Sequence, residues 1–406
     1  MGAFSIFKNK KNRKKQNVIP TVEEYYLRLA RRTSVAKFIL IMIIATFTVF
    51  SFSNYRNELT IENFRYTLKF IDFGAKTVVE SASVVYFDND ISNKGTLLRG
   101  DLCVLNTSGL SIHDFSGTKL LQADFKFDHP KMVANSRSLL VCDLGGNSLK
   151  AFNSYSNIYN ETFDYPIYGL SSNKNGEFII ISSAQNYRSA FFVYDREFRV
   201  IYNYYFGDKY IDYASISEDG KQVLVLLHYS QDGKLISLLA KFDIDSEEPS
   251  FQTEFIGEMP LGVNFMTDGK YSVLTSNSLR FYSSDNNIKN EIFFKEKSLL
   301  GYEFNNEYVI ICYNNIGLSS GTELDIFDKE GNTVIERNFS NAVLDKKISN
   351  DTLYVLMNES ITIVDLTGEK EDITVDIDSN YKELITNDNE VILFSISRAE
   401  YLDTEK

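Results

Sequence analysis

Two aspartates, a lysine, a glutamate and a glycine fall within eight residues at Asp325–Asn332 (DIFDKEGN). Carboxylates at that density could hold a divalent cation or exchange protons with a substrate. Two other acidic stretches stand at Asp88–Ser92 (DNDIS) and Asp243–Pro249 (DIDSEEP). Neither of these two completes the alternating acidic loop, with its central glycine and closing glutamate, that a calcium site of that type needs. Both read as acidic, exposed hairpins. The three histidines, His113, His129 and His228, stand in different contexts and form no metal-ligand spacing, so each reads as a surface or strand-edge residue. Cys103, Cys142 and Cys312 are an odd number, lie far apart and sit inside apolar runs (DLCVL, LLVCDL, VIICY), as buried small hydrophobes do. No phosphate-cradling glycine loop and no serine nucleophile elbow occurs in a strand-to-helix context. The sequence therefore assigns no catalytic, cofactor-binding or metal-ligating residue, and no cofactor is expected.

What positions Asp328 is a repeat. The chain is rich in Phe and Tyr (31 and 25 copies) and poor in Pro (5), a mixture that favours strands. From about residue 77 the apolar period is two. Turns followed by nearly continuous apolar strands recur at Gly100 (RGDLCVL), Asn135 (NSRSLLVC), Gly176 (KNGEFIIIS), Gly220 (EDGKQVLVLL), Gly269 (TDGKYSVL), Asn306 (NNEYVIICY), Asp351 (NDTLYVLM) and Asn389 (NDNEVILF). Their spacing, about 35 to 49 residues, is that of four-stranded propeller blades. Strands apolar on every position suit a sheet covered on both faces. A second series follows each such strand and holds Asp114, Asn153, Asp195, Asp243, Ser283, Asp328 and Asp365 just before a polar turn. Asp, Asn and Ser interchange there because each can accept a hydrogen bond from the backbone two residues on and so close a hairpin. A metal ligand would not tolerate that exchange, and DIFDKEGN reads as a turn.

The expected fold is all-β: an eight-bladed β-propeller over residues 77–406, with a seven-bladed ring as the alternative. The last repeat, Tyr381–Leu402, has room for two or three strands, and Thr77–Asn89 (TVVESASVVYFDN) is expected to complete it, so that the two ends of the chain close the ring.

Ahead of the repeats, residues 1–37 hold ten basic residues against Glu23 and Glu24, a net of +8, which leaves −21 for the remainder of a chain whose formal charge is −13. So acidic a body excludes nucleic acid as its partner. Residues 35–53 (VAKFILIMIIATFTVFSFS) have the length and apolarity of a transmembrane helix, through which the lipid bilayer is a partner. Lys37, near its start, can snorkel toward the headgroups. The positive-inside rule places residues 1–34 in the cytoplasm and the C-terminal domain outside the plasma membrane. Within that basic tail a short helix is expected from Thr21, with Glu24 at capping-box spacing. Residues 54–76 are expected to form a juxtamembrane amphipathic stalk, with Ile61, Phe64, Leu68 and Ile71 on one stripe and Gly74 as its stop.

The order of basic head, single span, LTIENF stalk and β repeats resembles an uncharacterised Gram-positive family of single-pass membrane propellers, a domain of unknown function with WD40- or quinoprotein-like blades. NKNGEFIIIS, SISEDGKQVLVLL, SQDGKLISLLAKFDIDSEEPS and LDIFDKEGN carry the likeness. The resemblance implies a propeller at the cell envelope and transfers no active-site residue. Signatures of sialidase and of quinone-binding or outer-membrane-assembly blades depend on tryptophan, of which the chain has none. The expected function is a non-catalytic binding or scaffold module with protein partners on a propeller face. The alternative is a small-molecule or cell-wall glycan sensor or enzyme that uses the central funnel.

Overall fold

In a computed structural model, residues 22–54, 84–114, 116–294, 297–314, 321–378, 380–386 and 391–402 are described. The chain divides into two units, Met1–Phe64 and Arg65–Lys406. The first contains one continuous helix, Val22–Asn54. The short tail helix and the span expected as separate elements are therefore parts of a single helix. Thr21, the expected start of the tail helix, and residues 55–76 of the expected 54–76 stalk lie outside the described residues, while Asn54 is the last residue of the helix. Among the described residues no helix is long and apolar enough to cross a membrane. The stretch with described side chains, Leu29 to Phe47, includes Arg31, Arg32 and Lys37.

The second unit is a ring of eight four-stranded antiparallel sheets. Blades 1 to 7 run in chain order over residues 94–124, 130–162, 169–206, 210–256, 260–293, 299–339 and 345–376. Blade 8 takes three strands from 383–401 and its outer strand, Val84–Tyr86, from the start of the domain. That strand pairs antiparallel with Arg398–Tyr401, with Val85 opposite Ala399. The ring is closed by joining the two ends of the chain, and the seven-bladed alternative is excluded. Of Thr77–Asn89, the part before Val84 lies outside the described residues.

All eight apolar runs are the second strands of their blades. The reason for their continuous apolarity is visible in blade 4. Val223, Val225 and Leu227 enter a core shared with blade 3, while Leu224 and Leu226 enter one shared with blade 5. Alternate residues of a strand point to opposite faces of its sheet, and here both faces meet a neighbouring blade. The same division sends Cys103 and Leu105 toward blade 2 and Leu102 and Val104 toward blade 8. Eight such cores fill the eight seams of the ring. Cys103, Cys142 and Cys312 are buried in these strands.

The second series of turns joins the third strand to the fourth in blades 1 to 7. Asp328 Oδ1 accepts from the backbone N–H of Glu330 at 2.8 Å and of Asn332 at 2.9 Å, with Gly331 between them at φ 84°. Asp114, Asn153, Asp195 and Asp365 also accept from the residue two positions on. Ser283 reaches only Asn287, four positions on. Asp243 departs from the expected role, because its carboxylate accepts from the Gln222 side chain and only its backbone carbonyl holds the turn. The charged tip of DIFDKEGN also ties blades together. Lys329 Nζ lies 2.9 Å from Asp268 and 3.3 Å from Glu307, and Glu330 pairs with Lys270.

Between blades 4 and 5, Arg280 is almost wholly enclosed. Its guanidinium makes two 2.8 Å bonds to Glu258 and one of 2.6 Å to Glu291, with the Phe255 ring 4.3 Å away. Burial pulls the Glu258 carboxyl up, but the Arg280 fork and the Thr275 hydroxyl outweigh it and hold it below the usual range.

Two predictions follow from these turns and this fork. Asp328→Ala should cost about 1 kcal/mol in denaturant unfolding of the full chain. Gly331→Ala should cost more, since the left-handed backbone alone is worth about 1–2 kcal/mol and the added Cβ would stand 2.7 Å from Phe281 and Asn290. Equal effects would contradict the turn geometry. Arg280→Ala strands the Glu258 carboxylate, for a loss of about 3–5 kcal/mol. Because the folded pKa of Glu258 is depressed, the pair's contribution is complete above the ordinary glutamate pKa and is lost as pH falls through the folded value. The wild type should therefore lose more stability than Arg280→Ala between neutral and acid pH, and parallel curves would refute that assignment.

Candidate functional site

The innermost strands of the blades surround the central channel. A cavity of about 460 Å³ in it is lined by the inner strands of blades 1, 2, 6, 7 and 8, with Tyr308 and Ile310 behind them. Its charged side chains are Lys94 and Lys131 from blades 1 and 2, Glu303 and Lys347 from blades 6 and 7, and Glu383 from blade 8. Short inner strands bring them together: Lys94 opens Lys94–Leu98, Lys131 is second in Pro130–Ala134, and Glu383 opens Glu383–Thr386.

The charges are not distributed evenly. Glu303 is ion-paired with Lys347 across the seam between blades 6 and 7. Burial nevertheless pushes the Glu303 carboxyl up. Burial pulls Lys347 down, but Glu303, Asp345 and Glu383 outweigh it and hold the ammonium above its ordinary value. Burial and the nearby Asp345 raise Glu383, which accepts a backbone N–H from Gly95 on blade 1. Lys94 Nζ reaches the Pro130 carbonyl at 3.4 Å. Burial, with Lys94 adding repulsion, holds Lys131 below the usual lysine range. No histidine lines this cavity.

The two ends of the ring differ in character. Both series of turns read from the sequence lie on one end, because they follow the first strand of each blade and the third strand of blades 1 to 7. The opposite end carries the links between second and third strands and between blades. Outside the helix, most exposed large apolar side chains gather on that second end, among them Tyr168, Tyr187, Tyr210, Ile256, Met259 and Leu300. The exceptions, Ile158, Val200, Ile201, Ile288 and Ile373, stand at the starts of outer strands, and Tyr213 lies midway along the inner strand of blade 4. Tyr187 packs on Tyr205 with centroids 5.0 Å apart, and Tyr210 stacks on His228 at 5.4 Å.

The residues first considered for chemistry do not converge. In DNDIS, Asp90 closes a local turn by accepting from the Ser92 N–H and hydroxyl at 2.8 and 2.7 Å. Asp325 of DIFDKEGN is buried in blade 6, 3.4 Å from Lys297, and its carboxyl is pushed up by that burial. His129 is exposed, and His228 Nδ1 lies 2.7 Å from Asp212. His113 corrects the surface reading. It is only 2% exposed, since the last residue of a third strand still faces a neighbouring blade, and desolvation holds its imidazole below the ordinary value. Among the described residues no group of three or more His, Cys, Asp or Glu is placed to hold a metal ion. The channel lysines and glutamates were not singled out from sequence. The available signal was a charged residue three to six positions before five of the eight first-series turns, Gly100, Asn135, Asn306, Asp351 and Asn389.

A solved structure shares this architecture. Sqt1 from Saccharomyces cerevisiae aligns with a TM-score of 0.55 at 10% identity, covering 80% of this chain and 100% of that one. BamB from Moraxella catarrhalis aligns with a TM-score of 0.48 at 11% identity, covering 79% and 99%. At 10% identity the likeness to Sqt1 shows the fold alone. No curated protein matches the sequence. The family of unknown function DUF5711 matches residues 73–403, nearly the whole ring with its closing strand, and the chain belongs to that family.

Proposed function

We propose that this chain is a single-pass membrane protein that holds its propeller outside the cytoplasm as a non-catalytic binding module, with protein partners docking on the end of the ring that carries the inter-blade links. The observation that carries this reading is the concentration of exposed tyrosine and aliphatic side chains on that end. Clustered exposed apolar surface of this kind marks interaction sites, and tyrosine is enriched where proteins meet.

The membrane part rests on the helix. Phe38 through Ile44 are seven consecutive apolar residues, every one exposed, so the helix is apolar on all its sides there. From Phe38 to Ser53 the sequence has no charged residue. A helix apolar all round belongs in a core or in lipid, and the ten basic residues at or before Lys37 orient it with the tail inside.

Two measurements test the proposal. In intact cells a cysteine introduced at Ser5 should resist a membrane-impermeant maleimide, while one at the exposed Glu197 should react; the reverse pattern overturns the topology. A photo-crosslinker placed at Tyr168 or at Tyr210 should give the same discrete adduct, absent when the crosslinker is placed at Glu307 on the opposite end. Adducts that do not differ between the two ends would remove the assigned face.

A further inference from the structure

The channel wall formed by blades 8, 1 and 2 has an imbalance that the fold does not explain. Lys94 and Lys131 stand on the inner strands of adjacent blades and face one cavity. Among the described residues neither has a carboxylate within ion-pair distance. The acids that share the cavity are engaged elsewhere, Glu303 by Lys347 and Glu383 by the Gly95 backbone. A third lysine, Lys382, is turned away and donates to the Ile91 and Asn93 carbonyls. Two ammonium groups, Lys131 half-buried and Lys94 exposed to the cavity, therefore face one space without an ion-pair partner of their own. Like charges facing one cavity repel, and an anion between them removes that cost.

We propose that Lys94 and Lys131 form a binding site for the oxyanion of a small molecule, a phosphate or a carboxylate. Lysine suits this task as a point charge that adapts to either geometry. The cavity, about 460 Å³, has the size of a small-ligand site. Met132, Ile310, Ile348 and Leu384 give it an apolar flank for the remainder of the ligand. The location also selects size. The acidic body repels an extended polyanion, while a small anion inside the channel can sit against Lys94 and Lys131, with Glu303 held by Lys347. The site is independent of the partner face, so either assignment can fail without the other.

Calorimetric titration of the full-length protein in detergent tests it, with sodium phosphate and sodium succinate as separate probes against chloride of matched ionic strength. At least one probe should saturate a single site and raise the melting midpoint. Lys131→Met and Lys94→Met should each weaken that binding about tenfold or more, the worth of a charge-assisted contact. Lys131→Arg should retain it, and Lys289→Met, on an exposed outer strand, should bind within about twofold of wild type. The melting midpoints of the anion-free variants report folding separately from binding. Failure of both anions to saturate, or wild-type binding in both methionine variants with an intact melting transition, overturns the site.

Discussion

No blade of this ring has a core of its own. Each seam is filled by alternate residues from two adjacent sheets, so every second strand must be apolar on both faces and every blade needs two neighbours. The consequence is circular. Opening the ring anywhere would expose one full seam, and the seam at risk is the one that joins blade 8 to blade 1. There Val85, Leu102, Val104, Ile385, Ile392, Phe394 and Ala399 pack together, from strands at opposite ends of the domain. Fully burying a large aliphatic or aromatic side chain contributes about 1.5–3 kcal/mol, so a single seam is comparable with the net stability of a whole domain. The three-residue strand Val84–Tyr86 holds that seam in register.

This dependence explains what was legible before the structure. Second strands such as QVLVLL and YVIICY announce themselves, since continuous apolarity and a preceding turn survive in a single sequence. The slot of Asp328 was equally readable, because the Asx turn needs only local chemistry. The inner strands were not readable. KGTLL, PKMVA, DKKIS and ELIT are short and mixed in polarity, because one side lines the channel while the other meets the sheet. Periodicity has too few positions there to work with, and the convergence of Lys94, Lys131 and Glu383 depends on the ring closing. His113 was misread for a related reason. A histidine before a polar turn looks like an edge residue until the neighbouring blade covers it.

The distribution of charge then separates structure from function. Most ionisable groups first considered for chemistry are engaged in turns or in bridges between blades, as Asp328, Lys329 and Glu330 show. The fork of Arg280 on Glu258 and Glu291 is a seam device of the same kind. Two features are left over by the fold: apolar side chains on one end of the ring, and two lysines in its channel without an ion-pair partner of their own. A wide apolar face fits a macromolecular partner, and two lysines on one side of a channel cavity fit a small anion. One propeller supplies both because its faces and its channel are built from different strands.

Ring closure is the claim on which everything else rests, and one covalent test reaches it directly. Tyr86 and Arg398 are opposed across the closing pair, at a position where Phe87 N–H bonding to the Ser397 carbonyl leaves them the non-hydrogen-bonded pair. Cysteines placed at these two positions in the full chain should form a disulfide on mild oxidation, while the buried native thiols remain reduced, and a link closing so long a loop should raise the unfolding free energy by several kcal/mol. Two cysteines that stay separately alkylatable in the folded, oxidised protein would show that the first strand does not complete blade 8, and would contradict the closed ring.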